Sequence, residues 1–314
     1  MSHELYFNYA ELYGLIADDR NFIEELNRLR AFTLPSTGLF VELFAGPAYH
    51  GTHLLNGGWN GKVVAIDNSH EMEKVACNRG FNGNYLCADA IIGLEQIVNA
   101  DLIFIPRYSI VLVDKEYAAN LFNQAAKSLD TNGVFFVEIH KDANIENQLY
   151  IGGRWDELSI YKRILETPLG KIECIWPYKT EIVDSDQKIV DMDVRITIAK
   201  DNLVDEYIFT SREHLHTKAD ILKFADEAGL KELRERSCEL VDSYLLAFGL
   251  KECDTKTNSP ILADTFQSDI LEKLSFNRLF DISSVDACSV QLKKSGLDAD
   301  AHDSPLSLHV YNLL

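Results

Sequence analysis

A chain of 314 residues is long enough for one large α/β domain with an insertion, or for two small domains, and it excludes a single small module. At 46% hydrophobic and 25% charged residues the composition is that of an ordinary soluble globular protein, which excludes disordered, collagen-like and low-complexity chains. Lys and Arg number 30 against 49 Asp and Glu; the net charge of −19 repels phosphate backbones and anionic membranes, so neither nucleic acid nor membrane is an expected partner.

The opening Met1-Ser2-His3-Glu4 lacks a basic patch followed by an apolar run, and no stretch approaches the ~20 apolar residues of a membrane span, so the expected location is cytoplasmic. From Tyr6 to Phe32, apolar residues at helical spacing (Leu12, Leu15, Ile16, then Phe22, Ile23, Leu26, Leu29) predict two helices, with Asp18-Asp19 at the break as the second N-cap. Leu39–Phe44 is a short apolar run ending in Ala45-Gly46-Pro47-Ala48, the pattern of a buried parallel strand followed by a turn. The pattern repeats. Lys62–Ile66 ends at Asp67, and Asn68-x-x-Glu71 is expected to cap the helix through Met72 and Ala76. Asn84–Cys87 ends at Ala88-Asp89, Asp101–Ile105 ends at Pro106-Arg107, and after a helix from Tyr117 to Leu129 the run Val134–Ile139 ends at His140. Five strands alternating with helices predict an α/β fold with a doubly wound, mostly parallel sheet.

From Leu158 to Phe209 the helical period gives way to alternation. The runs Ile160–Leu165, Lys171–Val183, Lys188–Ala199 and Leu203–Phe209, separated by Pro168-Leu169-Gly170, Asp184-Ser185-Asp186 and Asp201-Asn202, predict an inserted antiparallel β-meander. A helix over Lys218–Glu227 stopped by Gly229, and a strand over Ser243–Phe248, close the core. The expected division is 1–157 for the N-terminal helices and core, 158–211 for the insertion, 212–251 for the closing elements, and 252–314 for a C-terminal extension with a helix at Asp269–Phe280 and an apolar end at Leu306–Leu314. Six cysteines (Cys77, Cys87, Cys174, Cys238, Cys253, Cys288) show no C-x-x-C pair, which predicts reduced structural thiols. No metal is expected, because no two ligand types share i, i+4 helical spacing with a third nearby.

In an open parallel sheet, ligands bind at the carboxyl ends of the strands. The first such end runs Glu42-Leu43-Phe44-Ala45-Gly46-Pro47-Ala48-Tyr49-His50: small residues admit a ligand to the backbone, and the helix start offers free amides. By itself this is a weak signal, equally that of a tight connection. Asp67 follows about 20 residues on, the offset at which a carboxylate accepts from ribose hydroxyls, and Asp89 ends the third strand. A dinucleotide would want G-x-G-x-x-G, whereas Pro47 and Ala48 replace the flexible glycines. Glu42 would repel a pyrophosphate but could hold a ligand ammonium, directly or through water. A cationic nucleoside is favoured over NAD.

These residues carry a family resemblance. Glu42–Ala48 resembles the first motif of class I S-adenosylmethionine-dependent methyltransferases, Ala65-Ile66-Asp67-Asn68-Ser69-His70-Glu71-Met72 the second, and Ala88-Asp89-Ala90 the third, over roughly Tyr6 to Leu250. Tyr9-x-x-x-Tyr13 with Asp19-Arg20-x-Phe22, Arg107-Tyr108-Ser109, the meander, and Phe209-Thr210-Ser211-Arg212 are similar to the small-molecule branch that includes sugar N,N-dimethyltransferases. The resemblance implies a seven-stranded Rossmann-like sheet and S-adenosyl-L-methionine as cofactor. Gly46 and Ala48 would face its methionine part, Asp67 its ribose, Met72 and Asp89 with Ala90 its adenine, and Tyr13 and Arg20 its amino-acid end; Glu42, Asn68 and Ile105 complete the expected cofactor set. Pro47, Ala48 and the extension after Glu252 depart from that branch.

Displacement at a sulfonium methyl needs an in-line nucleophile and exclusion of water more than an elaborate catalytic set. His140, at the fifth strand end, can take a proton near neutral pH; its other reading is a capping or core histidine. Tyr108 and Arg107 share that edge and complete the expected catalytic set, with Arg107 suited to an acceptor carboxylate or equally to a surface or cofactor one. His214 and His216, placed after the meander, either reach over the pocket or are solvated, and Tyr49-His50 begins the first core helix. The expected activity is methyl transfer to N or O of a small molecule or natural-product peptide. The alternatives are a peptide carboxylate O-methyltransferase whose extension binds its peptide, and a non-catalytic cofactor-binding protein. A homodimer is one way to cover a flat meander.

Overall fold

A computed structural model describes residues 4–31, 38–150, 161–240 and 243–251. The expected extension, with its helix at Asp269–Phe280 and its apolar end, lies outside the described residues.

Three helices open the chain: α1 (Glu4–Phe7), α2 (Ala10–Ala17) and α3 (Phe22–Ala31). The first expected helix is thus split by a turn, and the second is capped by Asn21 rather than by Asp18-Asp19, since Asn21 Oδ1 accepts from the Glu24 amide at 3.2 Å. Asp19 is engaged elsewhere, by Arg107 at 2.7 Å. The core then alternates β1 (Leu39–Leu43), α4 (Tyr49–Asn56), β2 (Lys62–Asp67), α5 (His70–Asn78), β3 (Asn84–Cys87), α6 (Ala90–Leu94), β4 (Ala100–Ile105), a 3-10 turn at Ser109–Leu112, α7 (Lys115–Ser128), β5 (Leu129–His140) and α8 (Asp142–Tyr150). Ser69, not Asn68, caps α5, its hydroxyl accepting from the Met72 amide at 3.2 Å. The shift has a local cause: Asp67 Oδ1 takes the Ser69 amide at 3.0 Å, an Asx-type turn that starts the helix one residue late.

After the meander strands β6 (Tyr161–Thr167), β7 (Gly170–Asp184), β8 (Ile189–Lys200) and β9 (Leu203–His214), the chain returns through α9 (Lys218–Glu227), β10 (Leu230–Glu232), β11 (Cys238–Glu239) and β12 (Ser243–Leu250). The main sheet has the order β10-β12-β5-β4-β1-β2-β3, with β11 on β12. β1 to β5 run parallel; β12 is antiparallel to β5, and β10 to β12. Chain order reverses between β1 and β4, so their carboxyl ends form the crevice where such sheets bind ligands.

Both faces are apolar and covered, as a parallel sheet requires. One face packs Val41, Ile103 and Phe135 against α6, α7 and α9 through Leu94, Phe122 and Phe224. The other packs Phe40, Val63 and Phe104 against α3, α4 and α5 through Leu29, Leu54 and Ala76. Phe122 meets Phe135 and Phe248 edge-on at 5.0 and 5.8 Å, and each such ring adds roughly 1.5–3 kcal/mol of burial. Among the described residues no helix is long and apolar enough to cross a membrane.

The meander is a four-stranded sheet of consecutive antiparallel neighbours. Its inner face buries Ile172, Cys174, Val194, Ile196 and Phe209 against Leu5, Leu12 and Ile16 of α1 and α2. Arg163 on β6 donates to the carbonyls of Leu15, Ile16 and Asp18, satisfying the carboxyl end of α2. The outer face leaves Val204 and Ile208 exposed. β9 runs on to His214, five residues past the expected end at Phe209, so His214 belongs to the sheet. His216 is not solvated: it is buried, with Nε2 2.9 Å from the Val113 carbonyl.

Candidate cofactor and acceptor site

The loop after β1 is left-handed at three alternate residues: φ is 50° at Phe44, 50° at Gly46 and 52° at Ala48. Only Gly46 adopts this without steric cost; a side chain costs about 1–2 kcal/mol at each of the others. The surroundings fix the loop regardless. The Gly46 amide donates to Asp67 Oδ2 at 2.9 Å, the Ala45 amide to the Ile66 carbonyl at 3.1 Å, and the Tyr85 hydroxyl to the Gly46 carbonyl at 2.8 Å. Gly46 and Asp67, assigned to one ligand from sequence, are therefore in direct contact. Burial holds the Asp67 carboxyl above its ordinary range, although the Gly46 and Ser69 amides pull it down.

Beneath the loop Glu42 is 1% exposed, and it lines the cleft with both oxygens engaged: Oε1 by His50 Nδ1 at 2.8 Å and Oε2 by the Gly51 amide at 2.9 Å. His50 Nε2 meets Glu25 at 2.8 Å. Burial opposes charge on this imidazole, but the two carboxylates prevail and raise its pKa to about 9. Glu42 thus already holds a cation, supplied by the chain itself.

Above the loop stands Tyr13 of α2. A Cβ on Gly46 would lie 3.7 Å from the Tyr13 ring and 3.9 Å from Met72 Sδ, so the bare glycine leaves a slot between loop and helix. The cleft has Ala17, Phe22 and Pro47 among its walls. Met72 is buried with Ala10 and Val75, and Ala48 is fully buried at the head of α4. Asp89 caps α6, its Oδ1 accepting the Ile91 amide at 2.9 Å and its Oδ2 the Tyr117 hydroxyl at 2.6 Å. Ala90 and Ile105 lie in the core, and Asn68 is exposed.

On the other side of the switch point, Glu138 is a hub that the sequence reading missed. Its oxygens accept Arg20 Nη1 at 2.7 and 3.0 Å, the Arg107 amide at 2.7 Å and the Ser243 hydroxyl at 3.2 Å. The signal was present: a carboxylate inside the apolar run Val134–Ile139 is expensive to bury unless it is fully paired. Arg107 Nη1 reaches Asp19 at 2.7 Å and the Ala17 carbonyl at 3.0 Å. Arg107 and Tyr108 are both left-handed (φ 57° and 60°), which turns the Tyr108 ring onto His140 at 4.0 Å and 5°. Arg20 lies 5.5 Å from the same ring. Burial lowers the His140 pKa to about 4, with Glu138 opposing and Arg20 assisting, so the imidazole is neutral at pH 7. All three expected catalytic residues thus converge on one edge.

His70, Glu73 and Cys87 bring their ligand atoms within 4.8 Å of one another, a grouping that i, i+4 spacing on one helix does not reveal. Burial, then Glu73 and Asp67, raise the Cys87 pKa and keep its thiol protonated.

No protein-family model matches the chain, and no curated protein matches it by sequence. Solved structures do match. A S-adenosylmethionine-dependent methyltransferase from Clostridium acetobutylicum is similar at 16% identity over 77% of this chain and 98% of that one, with a TM-score of 0.58. DesVI from Streptomyces venezuelae is similar at 13% identity over 77% and 98%, with a TM-score of 0.61. The sugar N-methyltransferase KedS8 from Streptoalloteichus is similar at 15% identity over 76% and 92%, with a TM-score of 0.56. At such identities the likeness is one of fold: a mostly parallel Rossmann-like methyltransferase sheet carrying an antiparallel four-stranded sheet.

Proposed function

We propose that this chain is an S-adenosyl-L-methionine-dependent methyltransferase that transfers methyl to N or O of a small molecule or natural-product peptide, with the meander walling the acceptor pocket. The observation that carries this reading is the contact between Gly46 and Asp67 at the switch point, with Tyr13 closing over the bare glycine. The likeness to solved methyltransferases supports it. The residues fit the cofactor: a slot that any Cβ at Gly46 would narrow, and an aspartate whose oxygens keep unused lone pairs beside it.

When bound, S-adenosyl-L-methionine supplies a methyl group made electrophilic by its sulfonium. The chain's own part is to hold and to exclude. Asp67 would accept the ribose hydroxyls, Met72 and Asp89 with Ala90 would flank the adenine, and Tyr13 and Arg20 would cover the amino-acid end. Arg20 is kept in place by Glu138. Tyr108 and His140 form a flat aromatic wall; with its pKa lowered to about 4, His140 does not take a proton near neutral pH as the sequence leads one to expect, and its part is to accept a hydrogen bond from the acceptor.

Titration with S-adenosylhomocysteine tests the cofactor placement. The unaltered protein is expected to bind, and Asp67→Ala to weaken binding by about tenfold to a hundredfold, the worth of hydrogen bonds to a charged group. Equal affinity in both proteins would overturn the placement. Methyl-labelled cofactor incubated with candidate acceptors then tests turnover, and binding without transfer to any of them would favour the non-catalytic reading.

A further inference from the structure

Apart from the residues that line the cleft, three side chains of different ligand type converge where α5 begins and β3 ends. His70 and Glu73 belong to the first turn of α5, and Cys87 closes β3. The backbone holds these two ends side by side. Cys87 stands opposite Asp67 in the parallel register of β2 and β3, and Asp67 in turn takes the Ser69 amide just ahead of the helix. His70 and Glu73, three residues apart, share one face of that helix. One imidazole nitrogen, one carboxylate oxygen and the Cys87 sulfur all lie within 4.8 Å of one another.

The spacing is that of a coordination sphere. His70 Nδ1 and Glu73 Oε2 are 3.3 Å apart. Nitrogen and oxygen ligands bound at about 2.0–2.1 Å to a tetrahedral ion stand roughly 3.3 Å from each other, so this pair already has the span of two corners. Sulfur bonds are longer, which places the third corner roughly 3.6 Å from the nitrogen. Reaching it takes a small side-chain rotation, and His70 is exposed, so its ring can turn. No cation of the chain competes for the carboxylate: among the described residues Glu73 pairs only with His70, and the adjacent Lys74 is turned to Glu71 at 2.7 Å.

We propose that His70, Glu73 and Cys87 form a binding site for a divalent ion of the zinc class. Sulfur and imidazole nitrogen are donors that magnesium and calcium do not favour, and one carboxylate completes a mixed set that suits zinc. With three ligands from the chain, water takes the fourth tetrahedral corner. The metal–sulfur bond forms as the Cys87 thiol gives up its proton to solvent. An ion so held ties the first turn of α5 to the end of β3, next to Asp67. The inference stands independently of the methyltransferase reading, since it draws on no residue assigned to the cofactor or the acceptor.

The test uses the full chain, untagged and reduced, with cobalt(II) as the probe because a cobalt–thiolate bond absorbs in the near ultraviolet. Cobalt is expected to raise that band to saturation at one equivalent, zinc to bleach it, and excess magnesium to leave it in place. Cys87→Ser should abolish the band and weaken zinc binding about a hundredfold, since loss of even an outer hydrogen-bonding partner of a metal site can cost that much. His70→Asn should weaken zinc about tenfold or more. Cys77→Ser, which removes the exposed thiol in the last turn of α5, should change neither. No thiolate band, a band that survives in Cys87→Ser, or zinc affinity unmoved by His70→Asn overturns the site. Displacement of cobalt by magnesium overturns the zinc class. Should Cys87→Ser not fold, His70→Asn and Glu73→Gln decide, and undiminished zinc affinity in either overturns the proposal.

Discussion

The loop after β1 and the inner face of β9 treat their polar groups in opposite ways. Around the loop nearly every charge is matched: Asp67 by two amides, Glu42 by His50 and Gly51, and Asp89 by the start of α6 and Tyr117. On β9, Ser211 and Glu213 are buried without such matches among the described residues. A site for one invariant ligand can be organised in advance by its own backbone, at the cost of strained residues such as Phe44 and Ala48. An inner face packed on apolar neighbours keeps such groups only at a cost in stability.

The sharpest way to break this comparison is to unpair a matched group. Glu138→Ala leaves the Arg20 guanidinium only its longer contact with Glu25 at 3.4 Å and strands the Arg107 amide, and should lower stability by about 3 kcal/mol in urea unfolding. A loss below about 1 kcal/mol would mean the hub is not holding the edge together. Next comes His50. Its folded pKa of about 9 lies above the unfolded value, so its stabilisation is complete below about pH 6.5 and is lost as pH rises through 9. His50→Gln should therefore flatten the fall in stability between neutral and alkaline pH, an effect of about 2–3 kcal/mol.

His140 runs the other way. Its pKa of about 4 lies below the unfolded value, so its contribution is present above about pH 6.5 and is lost as pH falls through 4. His140→Phe, which keeps a ring on Tyr108, should soften acid unfolding; an unchanged acid limb would show that the imidazole is not desolvated. Smallest is the loop itself. Ala48→Gly relieves a left-handed alanine and should gain up to about 1 kcal/mol, while Gly46→Ala should lose about as much and also weaken S-adenosylhomocysteine binding.

Local pattern explains what could be read in advance. The runs ending at Asp67 and His140, the meander turns and the helix Lys218–Glu227 all announce themselves through periodicity and turn residues, and the structure places them within a few residues. What escaped depends on distant partners. Glu138 meets Arg20 across 118 positions, and Arg107 meets Asp19 across 88, so no window of sequence shows either pairing. The cap of α5 moved by one residue because Asp67 bonds Ser69. The left-handed Phe44 and Ala48 were hidden because their side chains suggest a stiffer loop, not the glycine-like backbone they adopt. Of the site, the strand ends were legible and the unpartnered face of β9 was not, since alternation marks a residue as inward without saying whether anything there answers it.

Tyr13 stands over Gly46, while Tyr9, one helical turn earlier, packs on Tyr207 and Phe209 of β9 at 5.5 and 5.0 Å. One short segment thus touches both the loop after β1 and the meander. Under the proposed function, whatever lifts that segment exposes both at once. Cofactor exchange and product departure then share a single barrier, so changes along α2 alter turnover and residence time together, with the chemical step left as it was.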